Sequence, residues 1–214
     1  MRDVVILRPE PAASRTADRA KAMGLVARKL PLFELVPIDW TAPETDRFDA
    51  LLLTSANALR CGGPELEKVK HLPVHAVGPK TAEAAEAIGF TIASVGEGGL
   101  RGMSVPAGQR LLHLAGKDRI ATDLVEAITV YESRILENPD ASGLAGSIVI
   151  VHSPRAGRRL AELVKDRASI AIAAISTAAA EACGHGWERV EAAPQPDGGA
   201  LLALAKRLCE NQPA

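Results

Sequence analysis

The chain has 214 residues, of which 47% are hydrophobic, 24% are charged and only 3% are aromatic. This length accommodates one large or two small globular domains, whose cores must consist mainly of aliphatic side chains. A formal net charge of −1 and a pI near 6.5 give no support for binding to nucleic acid or to an anionic membrane. The three cysteines lack Cys-x-x-Cys spacing, and we find neither a signal peptide nor an apolar stretch of membrane-spanning length, so we expect a soluble cytoplasmic protein.

The charged residues are unevenly distributed along the chain. Residues 1–30 contain seven Lys and Arg against three Asp and Glu, and residues 150–169 contain five against two. Residues 34–50 contain one Arg against five acidic residues. Solvated faces are the usual explanation of such unevenness, and a site for an anionic small molecule is the alternative.

Short aliphatic segments alternate with Ala-rich segments along the chain. The aliphatic segments have the composition of strands that are buried on both faces, and the Ala-rich segments have that of helices. This alternation predicts an α/β fold with a doubly wound parallel sheet. In chain order, the predicted strands are residues 4–7, 51–53, 74–77, 111–114, 148–151 and 170–175, with a weak strand near residues 91–95. Helices are predicted over about 12–23 and in segments that end near residues 88 and 183.

An internal repeat relates two parts of the chain at a constant offset of 98 residues. Residues 49–58 align with 147–156, and residues 72–85 align with 170–183, in both cases without a gap. General likeness among α/β units is one explanation, but two strand–turn–helix units that match at one offset favour a duplicated chain. The period is too long for a solenoid and suits a small α/β domain.

Two stretches with period-two alternation predict a connector between the halves. Residues 33–38 and 128–135 alternate between apolar and polar side chains, as two paired strands do. We therefore predict two parallel-sheet domains that are joined by a two-stranded β-ladder. The first domain comprises residues 1–36 and 136–214, the second residues 41–127, and the linker strands about residues 33–40 and 128–136.

Hydroxyl and amide side chains recur in the turns that follow the predicted strands. These turns lie at the carboxyl edge of a parallel sheet, where ligands bind and where helix N-termini present unpaired N–H groups to anions. The same residue types are preferred helix N-caps, so each one also has a structural explanation. Their recurrence in both halves favours a binding site between them. The candidates are Ser55, Asn57, Thr81, Ser153, Ser176 and Thr177.

Basic side chains accompany these turns. A ligand with many carboxylates would be bound by such residues, and arginine in particular offers bidentate hydrogen bonds. Taken singly, each is explained equally well as a surface cation. The candidates are Arg8, Lys117, Arg119 and Arg155, which directly follow predicted strands, and Arg15 in the first helix.

Several reaction classes lack their sequence motifs. The chain has no Gly-x-x-x-x-Gly-Lys-[Ser/Thr] phosphate loop, no Gly-x-Gly-x-x-Gly after the first strand and no Gly-x-Ser-x-Gly elbow. Its five histidines show no metal-ligand spacing, and no order of Ser, His and Asp or of Cys and His indicates a nucleophile. We therefore expect no metal site.

Tyr131 is the single tyrosine of the chain and lies in the predicted connector. We consider its phenol a candidate proton donor or hydrogen-bond anchor. A tyrosine that covers hydrophobic surface at a domain junction is the alternative.

A series of short motifs occurs in a specific order along the chain. They are Ile6-Leu7-Arg8-Pro9-Glu10-Pro11, Pro31-Leu32-Phe33-Glu34-Leu35-Val36-Pro37, Leu53-Thr54-Ser55-Ala56-Asn57-Ala58, Ala76-Val77-Gly78-Pro79-Lys80-Thr81-Ala82, Leu112-His113-Leu114-Ala115-Gly116, Val130-Tyr131-Glu132, Val151-His152-Ser153-Pro154-Arg155-Ala156 and Ala174-Ile175-Ser176. By the order and spacing of these motifs, the chain resembles the uroporphyrinogen-III synthase family over nearly its whole length.

The resemblance implies two flavodoxin-like α/β domains joined by a two-stranded ladder. It also implies an enzyme that cyclises hydroxymethylbilane, a linear tetrapyrrole with eight carboxylates, to uroporphyrinogen III, with loss of water and inversion of ring D. The family needs neither a cofactor nor a metal for this reaction. No obvious interface stripe is seen in the sequence, and we expect a monomer.

The resemblance also implies roles for individual residues. Tyr131 matches the family's cleft tyrosine, a proposed acid for the departing hydroxyl. Thr81 matches a threonine typical of the family, and Ser55 and Ser153 match its paired strand-end serines.

The chain departs from the family pattern at two places. Ser176-Thr177-Ala178-Ala179 replaces the usual Gly-Pro-x-Thr, which weakens a role for that turn. Only a short segment separates Gly116 from Ile128, so we predict a turn there in place of a helix, with Lys117 and Arg119 less firmly held than in relatives.

Two functions of other classes compete with the enzyme. A non-catalytic, two-lobed binding or sensing protein for an anionic metabolite would account equally well for the repeat and the basic turns. A phosphate-handling transferase is disfavoured because the glycine-rich phosphate loop is absent.

Overall fold

The computed structural model describes residues 2–96, 106, 108–119 and 125–210. The chain divides into two compact units, which we call unit 1 (Met1–Glu34 with Ile135–Ala214) and unit 2 (Leu35–Arg134). The described residues form two sheets, one of five and one of six strands, and the helices alternate with the strands along the chain. The prediction of an α/β fold with parallel sheets is confirmed.

The elements of the described residues are as follows. The strands are β1 (Val4–Ile6), β2 (Ala27–Lys29), β3 (Phe33–Pro37), β4 (Ala50–Leu53), β5 (Val74–Ala76), β6 (Ile92–Val95), β7 (Leu111–Gly116), β8 (Glu126–Ile135), β9 (Ile148–Val151), β10 (Ala171–Ala174) and β11 (Arg189–Ala192). The α-helices are α1 (Ala12–Ala22), α2 (Ala56–Cys61), α3 (Leu66–Val69), α4 (Pro79–Glu86), α5 (Pro154–Leu163), α6 (Thr177–Glu181) and α7 (Gly198–Glu210).

The sheet of unit 1 has the strand order β2-β1-β9-β10-β11, and all its neighbours are parallel. In chain order within the unit this is second, first, third, fourth, fifth, which is the flavodoxin order. Its central strands are buried on both faces because successive side chains point to opposite faces. Val5 and Val149 contribute to the hydrophobic cluster on one face, and Val4 and Ile148 to the cluster on the other.

The other sheet has the strand order β3-β8-β7-β4-β5-β6, and the strands from β8 to β6 are parallel. Strands β6-β5-β4 of this sheet correspond to β11-β10-β9 of unit 1, and the next neighbours, β7 and β1, also correspond. The two sheets therefore have the same spatial order of strands, but β1 and β2 precede the repeated strands in the chain whereas β7 and β8 follow them.

The 98-residue repeat is confirmed in the strand register. Leu51 pairs with Val74 in one sheet, and Val149, 98 positions later, pairs with Ile172 in the other. The backbone N–H of Val77 donates to Leu53 O at 3.0 Å, and that of Ile175 donates to Val151 O at 2.9 Å. Each residue of these pairs in one sheet lies 98 positions before its counterpart in the other sheet, so the two halves share backbone pairing as well as sequence.

Strand β8 has two neighbours, because it pairs in parallel with β7 over Glu126 to Tyr131 and lies beside β3 in the sheet order. Backbone hydrogen bonds of 3.0 Å join Ile38 N to Val130 O and Leu136 N to Leu32 O. The chain passes from one unit to the other within β3 and again within β8.

The helices are formed and ended by local signals that the sequence contains. Helix α1 is followed by Gly24, whose φ of +79° is the left-handed conformation that favours glycine after a helix. Its N–H donates to Lys21 O at 2.9 Å. Helix α7 buries Leu201, Leu204 and Leu208, which share one face because their spacing is three and four residues.

The described helices are short, and the cysteines are unpaired. Within the described ranges, we find no helix of the length and apolar character needed to cross a membrane. Cys61, Cys183 and Cys209 are free thiols.

Arg2 joins four segments at the amino edge of the unit 1 sheet. Its guanidinium donates to both carboxylate oxygens of Glu188 at 2.8 and 2.7 Å, and its side chain is only 10% exposed. It also donates to the carbonyl oxygens of Gly146 at 2.7 Å, Ser147 at 3.0 Å and Ser169 at 3.1 Å. The residues that receive these bonds lie just before β9, β10 and β11, so one side chain holds three strand starts together.

We predict that Arg2→Ala lowers the free energy of unfolding by about 2–3 kcal/mol, because Glu188 and the carbonyl groups lose their donors. The matched control is Arg47→Ala. The Arg47–Glu126 ion pair at 3.0 Å has side chains that are 56% and 47% exposed, so its loss should cost less than about 1 kcal/mol. Urea denaturation of the wild type and the two variants measures both effects. Equally small losses of unfolding free energy in the two variants would contradict the role of Arg2 in holding the strand starts together.

Candidate functional site

Each sheet has one position at which the chain order of its strands reverses. In unit 1 this switch point lies between β1 and β9, and in unit 2 it lies between β4 and β7. Ile6 pairs with Ile150, and Leu53 pairs with Leu114, so the chain leaves both strands of each pair at neighbouring positions. Ligands of open parallel sheets bind outside the carboxyl ends of the strands at such points.

Arg8 lies just beyond the end of β1, at the switch point of unit 1, and is half-buried. Its Nη1 lies 3.5 Å from Thr16 Oγ1. Burial, and after it the nearby charges of Arg15 and Arg19, lowers the pKa of Arg8. Within the described part of the chain, neither Arg8 nor Arg15 has a carboxylate partner. This group of like charges would be stabilised by a bound anion.

Ser153 and Arg155 follow β9 at the same edge. Ser153 is the N-cap of α5, and its Oγ accepts a hydrogen bond from Ala156 N at 3.2 Å. The guanidinium of Arg155 lies over the ring of Phe33, 4.6 Å from its centroid, as in a cation–π interaction. This stacking holds the Arg155 side chain against a buried ring.

The serines that we selected from the sequence are helix caps. Ser55 Oγ accepts from Asn57 N at 3.2 Å, and Ser176 Oγ accepts from Ala179 N at 3.3 Å, as Ser153 does in α5. Capping, the structural explanation for these residues, is therefore confirmed. A capping hydroxyl accepts through its oxygen and keeps its own hydrogen, which remains a donor for a ligand.

The other polar candidates are placed as follows. Asn57 lies in the first turn of α2, and its Oδ1 accepts from Arg60 Nη1 at 2.9 Å. Thr81 lies in the first turn of α4 and is only 8% exposed to solvent. Thr177 is the first residue of α6 and is exposed.

Lys117 and Arg119 follow β7 and are both held by β8. Lys117 Nζ lies 3.1 Å from Glu132 Oε2, and Arg119 Nη1 donates to Thr129 Oγ1 at 2.9 Å. Both cations thus have a partner on β8, although the Lys117 side chain is 66% exposed. That they are less firmly held than in relatives stays a prediction. Residues 117 and 118 form a turn, and residues 120–124, where we predicted a turn in place of a helix, lie outside the described residues.

Tyr131 lies on β8 beside the carboxyl end of β7. Its ring covers Gly116, where an added Cβ atom would lie 2.8 Å from Tyr131 Cζ and 2.9 Å from its hydroxyl oxygen. The Tyr131 carbonyl accepts from Lys117 N at 2.9 Å. Tyr131, Lys117 and Arg119 therefore lie at one edge of the unit 2 sheet.

Two histidines at the switch points were not among the candidates selected from the sequence. His113 on β7 is 2% exposed, and its Nε2 lies 3.1 Å from Thr54 Oγ1. Burial, with a smaller effect of Arg119, lowers the pKa of His113 to about 4. His152 follows β9, and burial, with a smaller effect of Arg8, lowers its pKa to about 3.

Each switch point thus contains a neutral imidazole near an arginine. The Nδ1 atoms of His113 and His152 are buried and form no hydrogen bond within the described residues. Their only sequence signal was their position at strand ends. Among the residues that the structure describes, no group of three or more His, Cys, Asp and Glu could hold a metal ion.

The lowered pKa of His113 predicts a pH dependence of stability. An unfolded chain binds a proton at this histidine below about pH 6.5, whereas the folded chain does so only near pH 4, so stability is lost as the pH falls through this window. In urea denaturation between pH 7 and pH 4.5, His113→Gln should lose less stability than the wild type, by up to about 1.4 kcal/mol per pH unit. The exposed His71 provides the control, and His71→Gln should run parallel to the wild type. A parallel profile for His113→Gln would refute the expectation.

Comparisons with known proteins agree with this architecture. The family model described as uroporphyrinogen-III synthase HemD matches residues 14–203. The crystal structure of uroporphyrinogen-III synthetase from Helicobacter pylori is similar, with a TM-score of 0.69 at 19% identity, over 97% of this chain and 100% of that one. A mutant uroporphyrinogen III synthase from Thermus thermophilus gives a TM-score of 0.50 at 17% identity, over 99% of this chain and 100% of that one.

The comparison with curated proteins gave no match. At these identities the solved structures establish the likeness of fold alone. The family model spans all the strand-end turns of the two switch points except Arg8 and its neighbours at the end of β1. On this match, the chain belongs to the uroporphyrinogen-III synthase family.

Proposed function

We propose that this member of the uroporphyrinogen-III synthase family, which converts hydroxymethylbilane into uroporphyrinogen III, binds the carboxylates of its substrate through donors at the carboxyl edge of each sheet. The observation that carries the proposal is the composition of the two switch points. Both contain cations and an N-cap serine, and the two serines occupy corresponding positions. In addition, Arg8 and Arg15 have no carboxylate partner within the described residues. Eight substrate carboxylates require many such donors.

The donors divide between the two units. In each unit, cations supply charge, and hydroxyl or amide groups supply directed hydrogen bonds. The hydroxyl oxygens of Ser55, Ser153 and Ser176 already accept from helix N–H groups, so their hydrogens remain donors for a ligand. The substrate-binding residues we propose are Arg8, Arg15, Ser153, Arg155, Ser176 and Thr177 in unit 1 and Ser55, Asn57, Thr81, Lys117 and Arg119 in unit 2.

The reaction requires control of conformation more than of proton transfer. The C–O bond of the substrate's hydroxymethyl group breaks, the oxygen takes up a proton and leaves as water, and a cationic azafulvene remains. This cation is attacked by the substituted carbon of ring D, and the resulting spiro intermediate rearranges with inversion of that ring. The free α-carbon of ring D then closes the macrocycle and loses its proton, so the reaction takes up one proton and releases one. Because spontaneous closure gives the non-inverted isomer, the protein must hold the chain so that the substituted carbon is the closer one. Loss of water makes the enzyme a cyclising lyase.

Tyr131 is the residue that we propose to protonate the departing hydroxyl group. A neutral phenol is a donor of suitable geometry for an oxygen that acquires negative charge as its bond breaks. The placement of its hydroxyl above the carboxyl end of β7, at the edge that bears Lys117 and Arg119, supports this role. The resulting azafulvene is stabilised by its own pyrrole nitrogen, so neither a metal nor a cofactor is part of the proposal.

The domain assignment is part of the same proposal. We assign residues 1–36 and 136–214 to one flavodoxin-like domain and residues 41–127 to the other, with linker strands at about residues 33–40 and 128–136. The division of the chain within β3 and β8, and the corresponding strand registers of the two sheets, support this assignment.

Incubation with freshly prepared hydroxymethylbilane, followed by chromatographic separation of the type III and type I isomers, tests the function. We expect type III to form faster than the spontaneous reaction gives type I. Type I alone, at the spontaneous rate, would end the enzyme assignment, and substrate recovered unchanged from a stable complex would indicate a binding protein.

Tyr131→Phe should lower kcat about 100-fold or more if the phenol is the proton donor, because general acid catalysis contributes at least about this factor. The substitution removes one oxygen atom and keeps the ring over Gly116, so thermal unfolding should be unchanged. Steady-state kinetics of type III formation provides the measurement. Full activity in a folded Tyr131→Phe protein would exclude the acid role.

A further inference from the structure

Gly116, the last residue of β7, has no side chain where the ring of Tyr131 lies. An added Cβ would be 2.8 Å from Tyr131 Cζ, 2.9 Å from the hydroxyl oxygen and 3.1 Å from Cε2. Real Cβ atoms essentially never approach other atoms this closely, and ordinary contact begins near 3.4 Å. A methyl group at this position therefore cannot coexist with the observed position of the phenol.

The backbone of Gly116 does not itself require glycine. Eight glycines of the described residues have positive φ angles, and Gly116 is not among them. An alanine could adopt its backbone conformation without strain. The reason for glycine at this position is thus the space that Tyr131 occupies.

An irregularity in strand pairing brings the two residues together. Ala115 pairs with Thr129, but the next residue, Gly116, pairs with Tyr131, so β8 contains one extra residue at this point. The extra residue, Val130, is fully buried in the hydrophobic cluster of unit 2. Bulges of this kind re-aim side chains. Here the bulge places the phenol over Gly116, and the hydrogen bond from Lys117 N to Tyr131 O fixes the backbone beyond it at 2.9 Å.

We propose that Gly116 is a positioning residue that sets the location of the Tyr131 hydroxyl for proton donation to the departing hydroxyl group. The inference rests on the proposed role of Tyr131. To bring a methyl group on residue 116 and the phenol to ordinary contact, the two must move apart by about 0.6 Å, the difference between 2.8 and 3.4 Å. A displacement of about 1 Å at a reacting group costs on the order of 100-fold in rate.

The displacement acts on the chemical step and leaves binding of the substrate carboxylates unchanged. Those carboxylates are assigned to other side chains, and Lys117 and Arg119 keep their partners Glu132 and Thr129 on β8. Gly116→Ala should therefore lower kcat at least about 10-fold, while KM changes less than about 2-fold.

A double-mutant cycle separates positioning from general structural damage. The cycle compares the wild type, Gly116→Ala, Tyr131→Phe and the double variant. We expect Gly116→Ala to lower kcat in the wild-type background and to have no further effect in the Tyr131→Phe background, because no hydroxyl remains to be misplaced. Equal losses in both backgrounds, or full kcat in Gly116→Ala with a slow Tyr131→Phe, would overturn the inference. Full kcat in Tyr131→Phe would instead remove the acid role itself.

Gly62→Ala is the matched control. Its added Cβ would lie 2.8 Å from Ala58 O and from Leu66 side-chain atoms, a clash of the same size in the same unit but without Tyr131. We expect Gly62→Ala to lower the unfolding temperature and to leave kcat of the folded protein unchanged. A loss of kcat in Gly62→Ala equal to that in Gly116→Ala would overturn the inference.

The single tyrosine of the chain allows a readout that does not depend on activity. Protein labelled with ¹³C at tyrosine Cζ gives one signal from Tyr131. We expect this signal to shift in Gly116→Ala and to stay in place in Gly62→Ala. An unshifted signal in a folded Gly116→Ala protein would show that the phenol does not depend on residue 116.

Discussion

Parallel pairing of β1 with β9, and of β4 with β7, determines where the candidate functional side chains of each unit lie. Because the paired strands end at neighbouring positions, the first residues beyond them share one edge of the sheet. Ser153 and Arg8 meet this condition in unit 1, and Ser55 and Lys117 meet it in unit 2. The helices that begin there add unpaired N–H groups and positive dipole ends, and three of the four helices that follow strands β4, β5, β9 and β10 start at a capping serine.

The electrostatics of these edges depends on which groups are charged. Arg8 lies close enough to Arg15 and Arg19 for their charges, together with burial, to lower its pKa. His113 and His152 add no charge at neutral pH, because burial lowers their pKa values to about 4 and about 3. The cost of gathering like charges is thus limited to the arginines, and a polycarboxylate that neutralises them relieves it. An edge of this kind favours anionic ligands through its positive charge, independently of their shape.

The sequence allowed most of the fold to be predicted, because burial left a direct trace. Strands β1, β4, β5, β9 and β10 are buried on both faces and therefore appear as aliphatic runs. Strands β2 and β11 were missed because they are short edge strands with charged residues, such as Arg28 and Glu191. A strand that is solvated on one side and only three or four residues long has no periodicity to detect.

The candidate site was predictable only in part, for a different reason. Serine caps follow from local sequence, and all three selected serines cap helices. The ion pair of Lys117 with Glu132 and the position of Tyr131 over Gly116 depend on how β8 pairs with β7. That pairing contains a bulge, and a shift of register by one residue changes which side chain meets which. The amino-acid sequences of β7 and β8 do not indicate the position of the bulge.

Duplication explains why the binding groups that we propose occur in both units and the proposed acid, Tyr131, in one. Strands β2 and β8 occupy corresponding places beside β1 and β7, but β2 has three residues where β8 has ten. Ile6 pairs with Ile150, and His113 pairs with Leu52, which lies 98 positions before Ile150, so Ile6 and His113 are equivalent. Pro9, three residues after Ile6, is therefore the counterpart of Gly116, three residues after His113. Pro9 carries a ring where Gly116 has no side chain, and the residue 98 positions before Tyr131 is Phe33, which has no hydroxyl group. Eight substrate carboxylates need many donors, whereas one departing hydroxyl group needs one acid, so the divergence of the two halves matches the roles that we propose.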